Sequence, residues 1–467
     1  MNPAALDVAI VGAGWAGCAA AVELTLRGHR VHLVEAARAL GGRARGLRQT
    51  PASAAADAWE ENLDNGQHIL LGAYQETLRL MRVVGVDTKK TLLRLPLQMR
   101  YPAGCGGIDF LTVHLPAPLH LLVGLLRTTA LTRADKLALA RFTTTARWID
   151  WRLNQDCSVT ELLERFDQTE RVTQLLWRPL CLAALNTPPQ KASAQVLLNV
   201  LRDSLGARRA SSDMLIPRIN LGPLFPQPAV RFITERGARL TLGARVTALV
   251  REHGRWQLTY GAGHANGYDA VVLATPLAET ARLEAGVTAI DTVVAAAEDV
   301  TADVAPSAFT YEPIITCYLQ YAPSQRLPLA LHALIDDASR DCWGQFVFDR
   351  GYLDVSQAGL LAVVVSAASA AVALDHARLA AAIAAQLAAV FSDPPLQHPL
   401  RTKIIVEKRA TFSCTPGLIR PASTTAYAGL LRAGDYVASD YPATIEAAVQ
   451  SGVRAARLVD STLGKRT

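Results

Sequence analysis

Gly12, Gly14 and Gly17 stand in the order G-x-G-x-x-G, and Glu35 follows where an acidic residue can reach ribose hydroxyls. Each glycine in such a pattern has its own task. The first turns the chain sharply, the second lets the backbone approach a pyrophosphate, and the third lets a helix pack against its strand. Trp15 and Ala16 sit between the second and third, at the start of that helix, where free N–H groups favour a phosphate. The chemistry is dinucleotide binding, and a carboxylate at Glu35 would repel the 2′-phosphate of NADP. Soon afterwards "LGGRARG", Leu40 to Gly46, places Gly42, Arg43 and Arg45 where more N–H groups and cations can meet a diphosphate.

A second chemical group lies in "LDNGQHILLG", Leu63 to Gly72, which crowds Asp64, Asn65, Gln67 and His68 in front of an apolar run. Asn65-Gly66 reads as a tight hairpin turn, because both residue types accept φ > 0. Asp64, Gln67 and His68 are side chains that orient a reactant or move a proton, and the two readings are compatible. Asp64 and His68 are the candidate acids. Glu407, Lys408 and Arg409 form another polar cluster, on a strand where solvation would account for it equally well.

The elements that must position these residues are legible in the pattern of apolar runs. Asp7–Val11 reads as a buried parallel strand, the glycines as the turn after it, and Ala19 to Leu26 as helix. Arg30 to Val34 is the next strand, ending at Glu35. Near the far end an apolar strand leads into Gly434-Asp435, and Pro442 is placed to open a long C-terminal helix. Between them, "RVTALV" and "RWQLTY" alternate around a His-Gly turn as a hairpin, and "DAVVLATP" reads as a buried strand. Thr310 to Tyr321 and "WGQFVFDRG" read as further strands, and Ser158 with Glu161 forms a capping box.

The chain has 467 residues, half of them hydrophobic, with a net charge of +6, and its length predicts more than one domain. No basic run is interleaved with aromatics, so nucleic acid is not an expected partner. The excess positive charge suits an anionic membrane surface instead. The seven cysteines include no C-x-x-C, which predicts free, mostly buried thiols in a reducing compartment. No signal-peptide pattern and no membrane-spanning run is present, and the chain reads as cytoplasmic. Leu115 to Leu131 is an apolar helix candidate, either a core helix or a monotopic surface helix opening a route for a lipid. Nothing in the sequence calls for a metal.

The G-G-R pattern resembles that of the flavoprotein amine oxidase and phytoene desaturase group, which selects FAD over NAD. Together with "LDNGQHILLGAY", "WRPLCLAALNTPP", "ASAQVLLNVLRDSL", "YEPIITCYL", "EKRATFSCTPG" and "YPATIEAAVQSG", it identifies a resemblance over nearly the whole chain. The family is the squalene-associated FAD-dependent desaturases, which include the hydroxysqualene dehydroxylases of hopanoid-making bacteria. One departure is "ASDYPATIE", where the family would place a small Thr-Gly-Leu-like run before the proline.

The resemblance implies an α/β fold. A Rossmann-like FAD domain assembled from residues 1–85, 225–290 and 400–467 would carry an inserted α+β substrate domain, 86–224 and 291–399. It implies that Asp435 binds the ribityl chain, that Thr444 and Ile445 at the helix start face the flavin's pyrimidine edge, and that the Val246 backbone contacts adenine. FAD would be held without a covalent link. The Asp64–His68 cluster would lie by the flavin or at the end of a substrate tunnel. The implied reaction is reductive loss of an allylic hydroxyl from hydroxysqualene, giving squalene and water at the inner face of the membrane. Its partners would be a long-chain isoprenoid, a membrane surface and an electron donor that the sequence does not name. The rival readings are an oxidative desaturase of squalene- or carotenoid-type lipids, an amine or protoporphyrinogen oxidase, and a non-catalytic FAD-bound scaffold. An oxidase that cages an amine between aromatics fits poorly with 6% aromatic residues.

Overall fold

The computed structural model describes residues 5–47, 63–206, 208–261, 263–289 and 305–463. Its first sheet has five parallel strands with Asp7–Val11 at the centre. Arg30–Glu35 and then Arg239–Leu242 lie on one side, Ala270–Leu273 and Leu430–Arg432 on the other. The central strands are buried on both faces, which explains their unbroken apolar runs. On one face the helices Trp15–Leu26 and Ile445–Leu463 cross at backbone contact. A Cβ on Gly452 would stand 2.1 Å from the carbonyl oxygen of Ala16, so only glycine permits that crossing. The other face is covered by the expected hairpin, Val246–Glu252 with Arg255–Tyr260, turned by His253 and Gly254 at φ of 51° and 74°.

A second large sheet is antiparallel, in the order Leu331–Ala333, Phe346–Asp349, Leu360–Val365, Tyr311–Gln320 and Arg401–Phe412. Its side chains alternate between two cores. Ile315, Cys317 and Leu319 pack with the helix His376–Phe391, whereas Tyr318, Phe348 and Ala362 belong to the core built with the helices between 133 and 201. The sheet therefore divides the structural helix from the face that looks toward the site.

Two local expectations change. Neither Asn65 nor Gly66 has positive φ, so "DNGQH" is not a hairpin turn. The segment runs on into the short strand Leu70–Leu71, whose partner is the distant Met214–Pro217. Tertiary hydrogen bonds to the Asn65 side chain, described below, override the local turn preference. The C-terminal helix also begins later than Pro442, at Ile445. Thr444 is its cap, with Oγ1 accepting the Ala447 N–H at 3.1 Å, and threonine is favoured there for that bond. The capping box is as expected, Ser158 and Glu161 closing the start of Val159–Arg165. All seven cysteines are free, and five are buried.

Candidate active site

The three glycines of the first motif separate into the roles their spacing predicts. Gly12 has φ of +106°, and a Cβ there would lie 2.6 Å from the Ala274 carbonyl oxygen. A Cβ on Gly17 would lie 1.9 Å from the carbonyl oxygen of Gly12. Gly14 differs: its Cβ would meet protein only at 3.9 Å, at Gly42. What Gly14 keeps clear is therefore space beside the helix start, not protein packing. Among the described residues no side chain caps that helix, and its first turn carries no acidic residue. Its first N–H groups are left for an anion.

A chain of contacts runs outward from this point. Glu35 accepts the Ala13 and Ala37 N–H groups at 2.6 and 2.8 Å, fixing its carboxylate at the mouth of the turn. Ala244 donates to the Glu35 carbonyl, which brings the buried Val246 strand alongside. In the other direction Gly41 donates to the Ala13 carbonyl at 2.9 Å, laying the second glycine loop on the first. The Trp15 indole donates to the Ala44 carbonyl at 2.9 Å, and Arg45 to that of Gly42 at 2.5 Å. Arg43 reaches Asp435 at 2.5 Å and the Ala410 carbonyl at 3.2 Å. The Asp435 carboxylate holds the Arg43 guanidinium above its ordinary range. Carboxylate, open helix terminus and arginine–aspartate pair thus follow one another along a single track, which is what a dinucleotide with a flavin at its end requires.

Arg420, which the sequence reading missed, shapes the end of that track. Its guanidinium donates to the carbonyls of Asp435, Tyr436, Val437, Ser439 and Tyr441. The loop from Asp435 toward Thr444 and Ile445 is wrapped around it. No sequence signal marks this arginine, because its partners are backbone carbonyls supplied by a turn some 15 to 21 residues away.

"DNGQH" lies between the arginine loop and the antiparallel sheet. Asn65 is the clamp on the loop side, its Nδ2 donating to the Arg43 carbonyl at 2.6 Å and its Oδ1 accepting the Arg45 N–H at 3.0 Å. On the sheet side Tyr318 donates its hydroxyl to the Asp64 carbonyl at 3.0 Å. The Asp64 side chain is buried and accepts the Leu221 N–H at Oδ1, 2.9 Å away. Burial pushes this carboxyl up to about 7, against the opposing pull of the Leu221 N–H and the Arg350 charge. It can therefore be a neutral acid near pH 7. His68 is different. Its Nδ1 pairs with the Gly66 carbonyl at 2.8 Å, and burial lowers its affinity for a second proton. A neutral imidazole with Nδ1–H committed to a carbonyl keeps Nε2 as an acceptor. Gln67 Oε1 accepts from Arg350 at 2.7 Å.

The other polar cluster divides. Glu407 is partly buried and near enough to act on Arg43, while Lys408 and Arg409 are exposed on the edge strand. The two most distinctive motif blocks meet at Asn186, which donates to Thr411 Oγ1 at 2.9 Å and accepts the Ala367 N–H at 2.7 Å. The apolar segment is helical only over Leu119–Arg127, with His120 and Gly124 inward. Leu119, Leu122 and Leu126 are each about half exposed, and Leu115 lies before them, so the helix is on the surface. No helix among the described residues is long and apolar enough to cross a membrane.

The model of flavin-containing amine oxidoreductases matches residues 15–460. The chain belongs to that family. It is an FAD-dependent oxidoreductase, and the uncapped helix terminus, Glu35 and the Arg43–Asp435 pair fit the cofactor. Among its relatives are hydroxysqualene dehydroxylases of Rhodopseudomonas palustris and Sinorhizobium fredii, 29% and 27% identical, each aligned over 97% of this chain and 98% of the relative. A zeta-carotene desaturase of Synechocystis is 23% identical over 97% of both chains. The fold is shared with a putative protoporphyrinogen oxidase from Exiguobacterium (TM-score 0.65, 16% identity, 98% of this chain and 99% of that one). A putrescine oxidase superposes with a TM-score of 0.66 at 16% identity over the same shares. The Rossmann-like α/β architecture is that of these flavoenzymes.

Proposed function

We propose that this enzyme removes the allylic hydroxyl of hydroxysqualene reductively, forming squalene and water in a hopanoid route. The full-length similarity to hydroxysqualene dehydroxylases supports the substrate class. The observation that carries the reaction type is Asp64, a buried carboxyl able to stay protonated near neutrality beside the arginine loop. A hydroxyl leaves readily only as water, and water formation needs a proton. A hydride-abstracting desaturase has no departing oxygen to protonate.

Reduced FAD, when bound, supplies the hydride that replaces the hydroxyl. Glu35, the Gly14 turn with Trp15 and Ala16, Arg43, Asp435 and the Thr444–Ile445 helix start are the groups we assign to holding it, without a covalent bond. Leu221 occupies Asp64 Oδ1, so the transferable proton is on Oδ2. His68 Nε2, an acceptor, suits the departing water better than the role of acid. The alkene beside the carbinol carbon delocalises the positive charge that develops there. A separate electron donor must return two electrons after each turnover. The exposed leucines of Leu119–Arg127, on a chain of net charge +6, offer an anionic membrane surface an apolar point of attachment for loading a lipid.

Anaerobic mixing of the chemically reduced enzyme with each lipid tests the reading. Hydroxysqualene should reoxidise the flavin with formation of squalene. Reduction of the oxidised enzyme by squalene or a carotene would support the desaturase instead.

A further inference from the structure

Arg350 is buried to within 1% of full enclosure, yet no carboxylate lies within ion-pair distance of it among the described residues. The neighbouring acid is already committed. Asp349 pairs with Arg326 at 3.1 Å and accepts the N–H groups of Leu327 and Gly351 at 2.9 Å each. What holds the Arg350 guanidinium is two neutral amides, Gln357 Oε1 on Nε and Gln67 Oε1 on Nη1, both at 2.7 Å. Its Nη2 is buried and has no hydrogen-bond partner among the described residues. A buried cation in this state is costly, and an acceptor that reaches its open nitrogen is strongly favoured.

The identity of that acceptor follows from the neighbours. Gln67 belongs to the same five-residue segment as Asp64 and His68, and the Arg350 charge is felt at both Asp64 and Tyr318. The two glutamines fix two of the three nitrogens, so the third is held in place by them. A neutral bracing pair leaves the positive charge available, where a carboxylate would have consumed it. We propose that Arg350 Nη2, braced by Gln67 and Gln357, binds the hydroxyl oxygen of the substrate and holds it for protonation by Asp64. This assignment rests on the dehydroxylation reading. The guanidinium donates to one lone pair of the oxygen and leaves the other for the Asp64 Oδ2 proton. As the C–O bond breaks, its electron pair goes to oxygen, which departs as water, and the carbon would take the hydride that bound reduced FAD would supply. Asp64 regains its proton from solvent. The part of Arg350 is to bind and polarise oxygen.

The test compares binding of hydroxysqualene and squalene to the oxidised holoenzyme, read as perturbation of the flavin absorbance. The two lipids differ in the oxygen, so their affinity ratio reports the contact. A hydrogen bond from a charged donor is worth about ten- to a hundredfold. Wild-type enzyme should prefer hydroxysqualene by at least that factor. Arg350→Gln should cut the preference by about ten- to a hundredfold, leaving what the Asp64 contact supplies, while squalene affinity and flavin content stay unchanged. If Arg350→Gln does not fold, Arg350→Lys serves, since it keeps the charge and loses the braced fork; its preference should fall at least several-fold. An undiminished preference in the folded variant overturns the proposal and leaves the dehydroxylation reading standing. So does a variant in which only the pH profile moves, for then Arg350 merely tunes Asp64. A wild-type enzyme that neither prefers nor turns over hydroxysqualene overturns both.

Discussion

Asp64→Asn separates an acid from a structural carboxyl. The wild-type side chain is 3% exposed, and burial lifts its carboxyl from the ordinary 3.8 to about 7. Between about pH 4 and pH 7 the folded protein keeps a proton that the unfolded chain has lost. Stability must therefore fall as pH rises through that window and level off above it. A rise of about three pH units at 1.36 kcal/mol each makes the full loss about 4 kcal/mol. Asparagine has no such titration, and its Oδ1 can still accept the Leu221 N–H. The variant should show a flatter dependence of melting temperature on pH across this range, with flavin binding intact. Reoxidation of its reduced flavin by hydroxysqualene should slow by about 10²–10⁴-fold, the usual scale for general acid catalysis. In the wild type the same rate should hold steady below about pH 7 and drop about tenfold per pH unit above, as the Asp64 proton is lost. Stopped-flow reoxidation, paired with a melting curve at each pH, reads all of these. A normal rate per folded molecule in the Asn variant would falsify the assignment, and a wild-type rate indifferent to pH across 7 would do the same.

Three other outcomes are expected. Gly14→Val should fold without FAD, because a Cβ there meets protein only at 3.9 Å and the added side chain instead fills the cofactor's space; flavin absorbance together with circular dichroism checks this, and normal flavin content would refute the placement of the pyrophosphate beside Gly14. Acid precipitation of the wild type should release yellow flavin to the supernatant, whereas colour retained in the pellet would show a covalent link. The protein should bind anionic liposomes, more weakly at high salt but still detectably, and the pair Leu122→Glu and Leu126→Glu should lose that binding with flavin content unchanged. Equal flotation of wild type and double variant would place the attachment elsewhere.

Local and repetitive physics made much of this protein readable from its sequence. A parallel strand buried on both faces must be an unbroken apolar run, so Asp7–Val11 and Ala270–Leu273 declared themselves. Backbone that must approach other backbone excludes a Cβ, so Gly12 and Gly17 marked the turn between Asp7–Val11 and the helix that follows. The hairpin around His253-Gly254 and the Ser158 capping box rest on contacts only a few residues apart. Pro442 satisfies one rule for helix entry, but the helix opens at Ile445, within the start the sequence already marked, because the Thr444 cap satisfies a stronger one.

Only the tertiary structure could decide the use of "DNGQH". Asn-Gly favours a turn by small local energies, and Asn65 instead bonds to a loop some 20 residues away, while Asp64 bonds to Leu221. The Asp64 carboxyl holds its proton up to about pH 7 because elements distant in sequence exclude water from it, and no property of the pentapeptide encodes that burial. Arg350 and Arg420 escaped the sequence reading for a related reason. An arginine's role depends on its acceptors, and here these are two glutamines in one case and five backbone carbonyls in the other. Residue type fixes what a side chain can donate. Folding alone fixes what stands opposite it and whether water is there to compete.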